Sequence, residues 1–183
     1  MNIDREQAAS ALSDIDSIVR RVRQSRIYSL ASLMLIMWGV LVFAGYVLNF
    51  LSPRNGAMIW TAVNVVGIVG SFAISRYDYA REGIRTFDVR WLSALLLFVA
   101  FGMFCSWLGH FTPRQMGAFW PIYFMLIYVI AGLWFGHAFV VIGLAITALT
   151  LTGYFLAGQW FELWMAFVDG GGLILGGLWM RRN

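Results

Sequence analysis

Six apolar runs, separated by short polar breaks, account for most of this chain. They cover about 27–51, 56–75, 91–111, 116–136, 138–158 and 160–180. Each reaches the roughly 20 residues that an α-helix needs to cross about 30 Å of hydrocarbon. The breaks are Ser52-Pro53-Arg54-Asn55, the polar run 76–90, Thr112-Pro113-Arg114-Gln115, Gly136-His137 and Gly158-Gln159. The pattern predicts an all-α, polytopic integral membrane protein: six transmembrane helices arranged as three hairpins across residues 27–180. Gly136-His137 is the thinnest of the breaks.

Ahead of the first run, residues 1–26 follow a different rhythm. Ala8, Ala11, Leu12, Ile15, Ile18, Val19 and Val22 recur at the i, i+3, i+4, i+7 spacing of a single apolar stripe. Acids lead and arginines close the segment, an order that suits a helix dipole. This predicts an N-terminal amphipathic helix on the cytoplasmic side. Two uses fit it. The helix can lie in the headgroup region with its arginines on anionic lipid. Alternatively, Leu12, Ile15, Val19 and Val22, with Arg20, Arg21 and Arg23, can form a contact surface for a cytoplasmic protein or a second copy of the chain. The loop 76–90 mixes four arginines with Asp78, Glu82 and Asp88, and reads as a solvated connection that could extend that surface.

Composition sharpens the topology. The 183 residues are 61% hydrophobic and only 12% charged, with a net charge of +4; a soluble domain carries about a quarter charged residues. All of the basic residues are arginine. Arg5, Arg20, Arg21, Arg23, Arg26, Arg76, Arg81, Arg85, Arg90, Arg181 and Arg182 fall on one side of a six-span arrangement, and only Arg54 and Arg114 on the other. The positive-inside rule then predicts cytoplasmic N- and C-termini in a bacterial inner membrane, with 181–183 as a short tail. The first apolar run lies behind a polar stretch too long for a signal n-region, so no cleaved leader is expected.

The first two hairpins share a turn. "SPRNGAMIW" (52–60) matches "TPRQMGAFW" (112–120) without gaps at an offset of 60 residues. Proline cannot continue the preceding helix, hydroxyl and amide side chains satisfy free backbone ends, and tryptophan anchors at headgroups. The third hairpin lacks this turn. It does share one spacing, since Asn64 precedes Arg76 by the same interval as Asp169 precedes Arg181.

The search for chemistry excludes more than it finds. Without lysine there is no Schiff base and no phosphate loop ending in Gly-Lys-Ser/Thr. Cys105 is the single cysteine and lies in an apolar run, so it reads as a buried small hydrophobe. His110 and His137 fall at opposite ends of their spans, so no metal site is predicted. No nucleophile turn or dinucleotide fingerprint appears, and no catalytic residue or cofactor is expected. Nor does anything resemble a base-reading module, so nucleic acid is not an expected partner.

A sparse polar set remains within the apolar runs: Asp169, Asn64, Thr147 and Thr150. An acid at membrane depth is costly unless paired, hydrated or protonated, and such residues mark ion or proton paths. Asp169 shares a helical stripe with Gly172 and Gly176, and small residues at that spacing let helices approach closely. Three functions for Asp169 follow: a hydrogen-bonded strut in a glycine interface, a transport or proton site, or part of a hinge at Gly170-Gly171-Gly172. For the whole chain the expectation is a non-enzymatic interaction or regulatory component in the bilayer. The alternative is a small channel or proton-coupled transporter using Asp169 and Asn64.

Overall fold

A computed structural model describes the backbone of residues 5–82 and 89–182 and the side chains of residues 28–80 and 92–182. Every regular element among the described residues is helical. The order is α1 (Arg5–Leu51), α2 (Gly56–Glu82), α3 (Val89–Leu108), α4 (Pro113–Phe135), α5 (His137–Leu156), α6 (Phe161–Met165), a π-helical turn (Ala166–Gly171) and α7 (Gly172–Arg182). Five segments are long and apolar enough to cross a membrane: Tyr28–Leu51, Pro53–Ala80, Pro113–Phe135, His137–Leu156 and Gly158–Arg182. Leu92–Leu108 adds a shorter apolar helix. The chain is therefore a helical, polytopic membrane protein.

Two helices outrun their apolar stretches. α1 is a single helix of 47 residues that joins the N-terminal segment to the first apolar run without a break. No glycine or proline lies between Arg5 and Trp38 to interrupt it. α2 continues past Arg76 to Glu82, since polar residues extend a helix once its ends can meet water. The apolar stripe Leu12, Ile15, Val19 and Val22, the arginines 20, 21 and 23, and the centre of loop 76–90 lie outside the residues whose side chains are described.

The related turns close differently. Thr112 and Gln115 form a reciprocal capping box at the start of α4, with Pro113 in its first turn. Ser52 makes no cap; its hydroxyl instead accepts from the Asn55 side chain at 3.0 Å beside a 3₁₀ turn. Between α4 and α5 the chain reverses at Gly136, whose φ of 127° is one that L side chains rarely adopt.

Helices adjacent in sequence pack antiparallel, as do α1 and the last rod. Gly132 of α4 meets Val140 of α5, and Gly143 of α5 meets Val129 of α4. α5 runs against the last rod (α6, the π-turn and α7), with Ile142 on Gly176 and Ile146 on Gly172. α1 lies along the other face of that rod. A Cβ on Gly170 would stand 2.6 Å from the Phe43 nitrogen, and one on Gly39 only 2.7 Å from the Gly170 carbonyl oxygen. The Ser32 hydroxyl donates to the Gly177 carbonyl at 2.7 Å farther along this seam. Helices come this close only where side chains are missing, and dispersion between backbones then replaces a hydrophobic drive that lipid cannot supply.

α2 and α3 are peripheral. α2 leans on α1, where the Trp38 indole donates to Ser71 Oγ at 3.0 Å. α3 packs on α4 through stacked Phe98 and Tyr123 rings with centroids 3.9 Å apart.

Candidate functional site

Asp169 lies in the π-turn of the last rod, which packs against both α1 and α5. Gly170 faces α1, whereas Gly172 and Gly176 face α5; Asp169 immediately precedes Gly170 within the π-turn that joins the two contacts. Ile146 sits opposite Gly172 and Gly153 opposite Trp164. Thr150 continues the buried stripe Ile142, Ile146, Thr150, Gly153, so this register sets it level with residues 167–168. Both side chains are withdrawn from the surface: Asp169 is 5% exposed and Thr150 0%.

The backbone at Asp169 is not regular α-helix. Residues Ala166–Gly171 form a π-helical turn, an uncommon geometry that widens the helix and disturbs its carbonyl ladder. Sequence and geometry agree locally, because consecutive glycines hold the α-helix weakly. A Cβ at Gly171 would meet nothing within 4 Å. Gly171 thus serves no close contact, unlike its neighbours on either side.

A second irregularity stands nearby on α4. Pro121 lies inside that helix and is buried. Lacking an N–H, it leaves the carbonyl four residues earlier, that of Gly117, without its helical donor. The Tyr46 hydroxyl of α1 donates to that carbonyl at 2.9 Å, so a neighbouring helix supplies what proline removes. Tyr46 itself is enclosed, its ring edge-on to Trp60 at 4.8 Å. The Asp169 carboxylate is close enough to act electrostatically on the hydroxyls of both Tyr46 and Tyr128. No charged side chain among the described residues offsets it.

Two further polar groups sit toward the α5–α6 end. Asn49 lies beside the half-buried Glu162. Arg114 donates to the Tyr154 carbonyl at 2.7 Å and covers the Tyr154 and Phe161 rings. One guanidinium thereby satisfies a free carbonyl in the last turn of α5.

The four polar residues singled out in the sequence separate. Asp169 and Thr150 are both buried, on the last rod and on α5. Thr147 is half-buried and off the Thr150 stripe. Asn64 is exposed on α2 and donates to its own helix at the Trp60 carbonyl, 2.8 Å away. Gly172 and Gly176 form the contact with α5. Sequence reasoning missed Tyr46, Tyr128 and the Pro121–Gly117 pair; a proline within an apolar run was the available signal. A groove of about 560 Å³ opens beside α6 between Leu156, Trp160, Trp164 and Phe167. Its walls are apolar, and Asp169 does not line it.

The site is therefore a buried carboxylate among hydroxyls, drawn from several helices of a polytopic membrane protein. Comparison with protein-family models, curated proteins and solved structures gave no match to this chain.

Proposed function

We propose that this protein is a non-enzymatic interaction or regulatory component of the bacterial inner membrane. It crosses six times, keeps both termini in the cytoplasm, and presents the N-terminal half of α1, with the loop after α2, to a partner. The observation that carries this reading is the unbroken course of α1 from Arg5 to Leu51. At 1.5 Å per residue such a helix is about 70 Å long, more than twice the hydrocarbon thickness. A segment lying in the headgroup plane would need a break near residue 27, whereas an unbroken helix projects from the bilayer. Its other half is clamped in the glycine seam with α7, so the projecting half is held by a rigid base. Six passes agree with the pairwise antiparallel contacts, and the arginine distribution supports the orientation.

Deletion of residues 1–24 tests the proposal. The shortened chain should still insert, while the native complex isolated from membranes loses mass and its cytoplasmic partner. Unchanged complex size and composition would remove the contact reading.

A second reading, a small channel or proton-coupled carrier, is favoured by one observation: a buried carboxylate at a π-turn, the kind of irregularity that accompanies function in membrane helices. Asn64 stands apart from that carboxylate, on an exposed face of α2. Reconstituted wild type and Asp169→Asn should differ in proton or ion flux; equal flux refutes the reading.

A further inference from the structure

The exposed hydroxyls of Thr61 and Thr152 each donate to the carbonyl four residues earlier, at 2.8 and 2.9 Å. A hydroxyl has one hydrogen, and that bond uses it. An amide has more to satisfy. Asn64 also donates to its own helix, at the Trp60 carbonyl 2.8 Å away, but a second N–H and Oδ1 remain. Among the described residues nothing bonds either of them. The side chain lies inside the apolar span Pro53–Ala80, about 12 Å along α2 from Gly56, and is exposed there. Lipid tails offer neither donor nor acceptor, so both open groups are costly. Only long side chains reach the headgroups from such a depth. Its exposed neighbours complete a seam. Ala57, Thr61, Asn64 and Ile68 are all exposed, and their 4-3-4 spacing is that of a left-handed helix pair. This seam lies beside the face that meets α1 through Val63 and Gly67. Ala57 and Thr61 are small, so a second helix can come close at Asn64.

We propose that two copies of this chain pair along this seam of α2, about a two-fold axis parallel to the membrane normal, with each Asn64 Nδ2 donating to Asn64 Oδ1 of the second copy. Two arguments single out a second copy as the occupant. Copies inserted in the same orientation bring their α2 helices together parallel, with Asn64 at one depth in both. An amide is also its own complement, because it carries both a donor and an acceptor. Two reciprocal bonds fill both open groups at once, while the first N–H stays on the Trp60 carbonyl. A carbonyl from another protein would meet only the N–H, and a basic side chain only Oδ1. A single asparagine in such a seam fixes register and the number of helices in coiled coils. The pairing lies within the bilayer and is independent of the contact proposed for the N-terminal half of α1.

The test uses the full-length protein in vesicles of phosphatidylethanolamine and phosphatidylglycerol. Donor- and acceptor-labelled chains are mixed, and energy transfer is followed as lipid is added. Wild type should pass reversibly from dimer to monomer on dilution, and single-molecule photobleaching should count two chains in the dimer. Asn64→Val should shift the midpoint about tenfold toward monomer, as expected for two interhelical bonds of ordinary strength, and Asn64→Gln should retain the pairing. In a Cys105→Ser background, Thr61→Cys and Ile68→Cys should give a disulfide-linked dimer under mild oxidation. Val66→Cys, exposed on the opposite flank of α2, should not. If Asn64→Val does not fold, the cross-links decide, because those variants keep Asn64. Monomers at every dilution overturn the proposal, as do equal midpoints for wild type and Asn64→Val. Cross-linking that favours Val66→Cys also overturns it, as does capture at Thr61→Cys or Ile68→Cys, in native membranes, of a different protein in place of a second copy.

Discussion

Tyr46→Phe removes one hydroxyl and keeps the ring, and its cost depends on a residue in another helix. The hydroxyl donates to the Gly117 carbonyl at 2.9 Å, while the ring retains its edge contact with Trp60. Interhelical hydrogen bonds in membrane proteins average about 0.6 kcal/mol and reach about 1.7. Here the acceptor has no donor in its own helix, because residue 121 is proline. Losing the phenol therefore leaves a buried carbonyl unpaired, which puts the cost near the upper end, about 1–2 kcal/mol. Pro121→Ala restores the missing N–H. In that background the carbonyl is already paired, and Tyr46→Phe should cost about 0.5 kcal/mol or less. A double-mutant cycle followed by reversible unfolding in mixed micelles should thus give a coupling of about 1 kcal/mol. Equal costs in the two backgrounds would refute the claim that Tyr46 serves the proline-freed carbonyl.

Two further pairs of variants probe packing and turns. Gly170→Ala should destabilise by about 2 kcal/mol or more, because its Cβ meets the backbone of Phe43, whereas Gly171→Ala has open space and should be neutral or stabilising by up to about 1 kcal/mol; thermal unfolding of the two side by side separates seam from turn. Thr112→Ala breaks a capping box and should cost about 1 kcal/mol, while Ser52→Ala, where no cap exists, should change stability by only a few tenths. Similar losses from both would mean that the matching turns act alike.

The helices were legible because lipid imposes a minimum apolar length, and prolines with hydroxyl and amide neighbours punctuate it. Even the thin Gly136-His137 break marks a true reversal, since Gly136 takes a φ that other residues avoid. The seam was half legible. Spacing set Gly172 and Gly176 on one stripe and Gly170 and Gly177 on another, but Gly39, the partner on α1, is an isolated glycine in an apolar run. The polar site was less legible still. Asn64 and Asp169 precede arginines by the same interval, yet one faces outward from a peripheral helix and the other inward. Periodicity tells which residues share a face and is silent on which neighbour that face meets. Tyr46 resembles a belt aromatic until α4 is placed beside it. The course of α1 was hidden for another reason: a change from amphipathic to apolar composition suggests a boundary, but the backbone hydrogen bonds run straight through it.

The seam between α1 and α7 also dictates an order of events at birth. The helix made early finds its glycine-lined counterpart only after some 130 further residues have emerged, because the chain must reach Gly170 and Gly177 before Gly39 and Ser32 have anything to close upon. At roughly 5–20 residues per second, synthesis takes about 6 to 26 seconds to cover that interval. During it, α1 rests in lipid or beside the insertion machinery with its notch open. A chain that stops before the last rod leaves that notch uncovered. The seam thus closes last, although one of its two helices is made first.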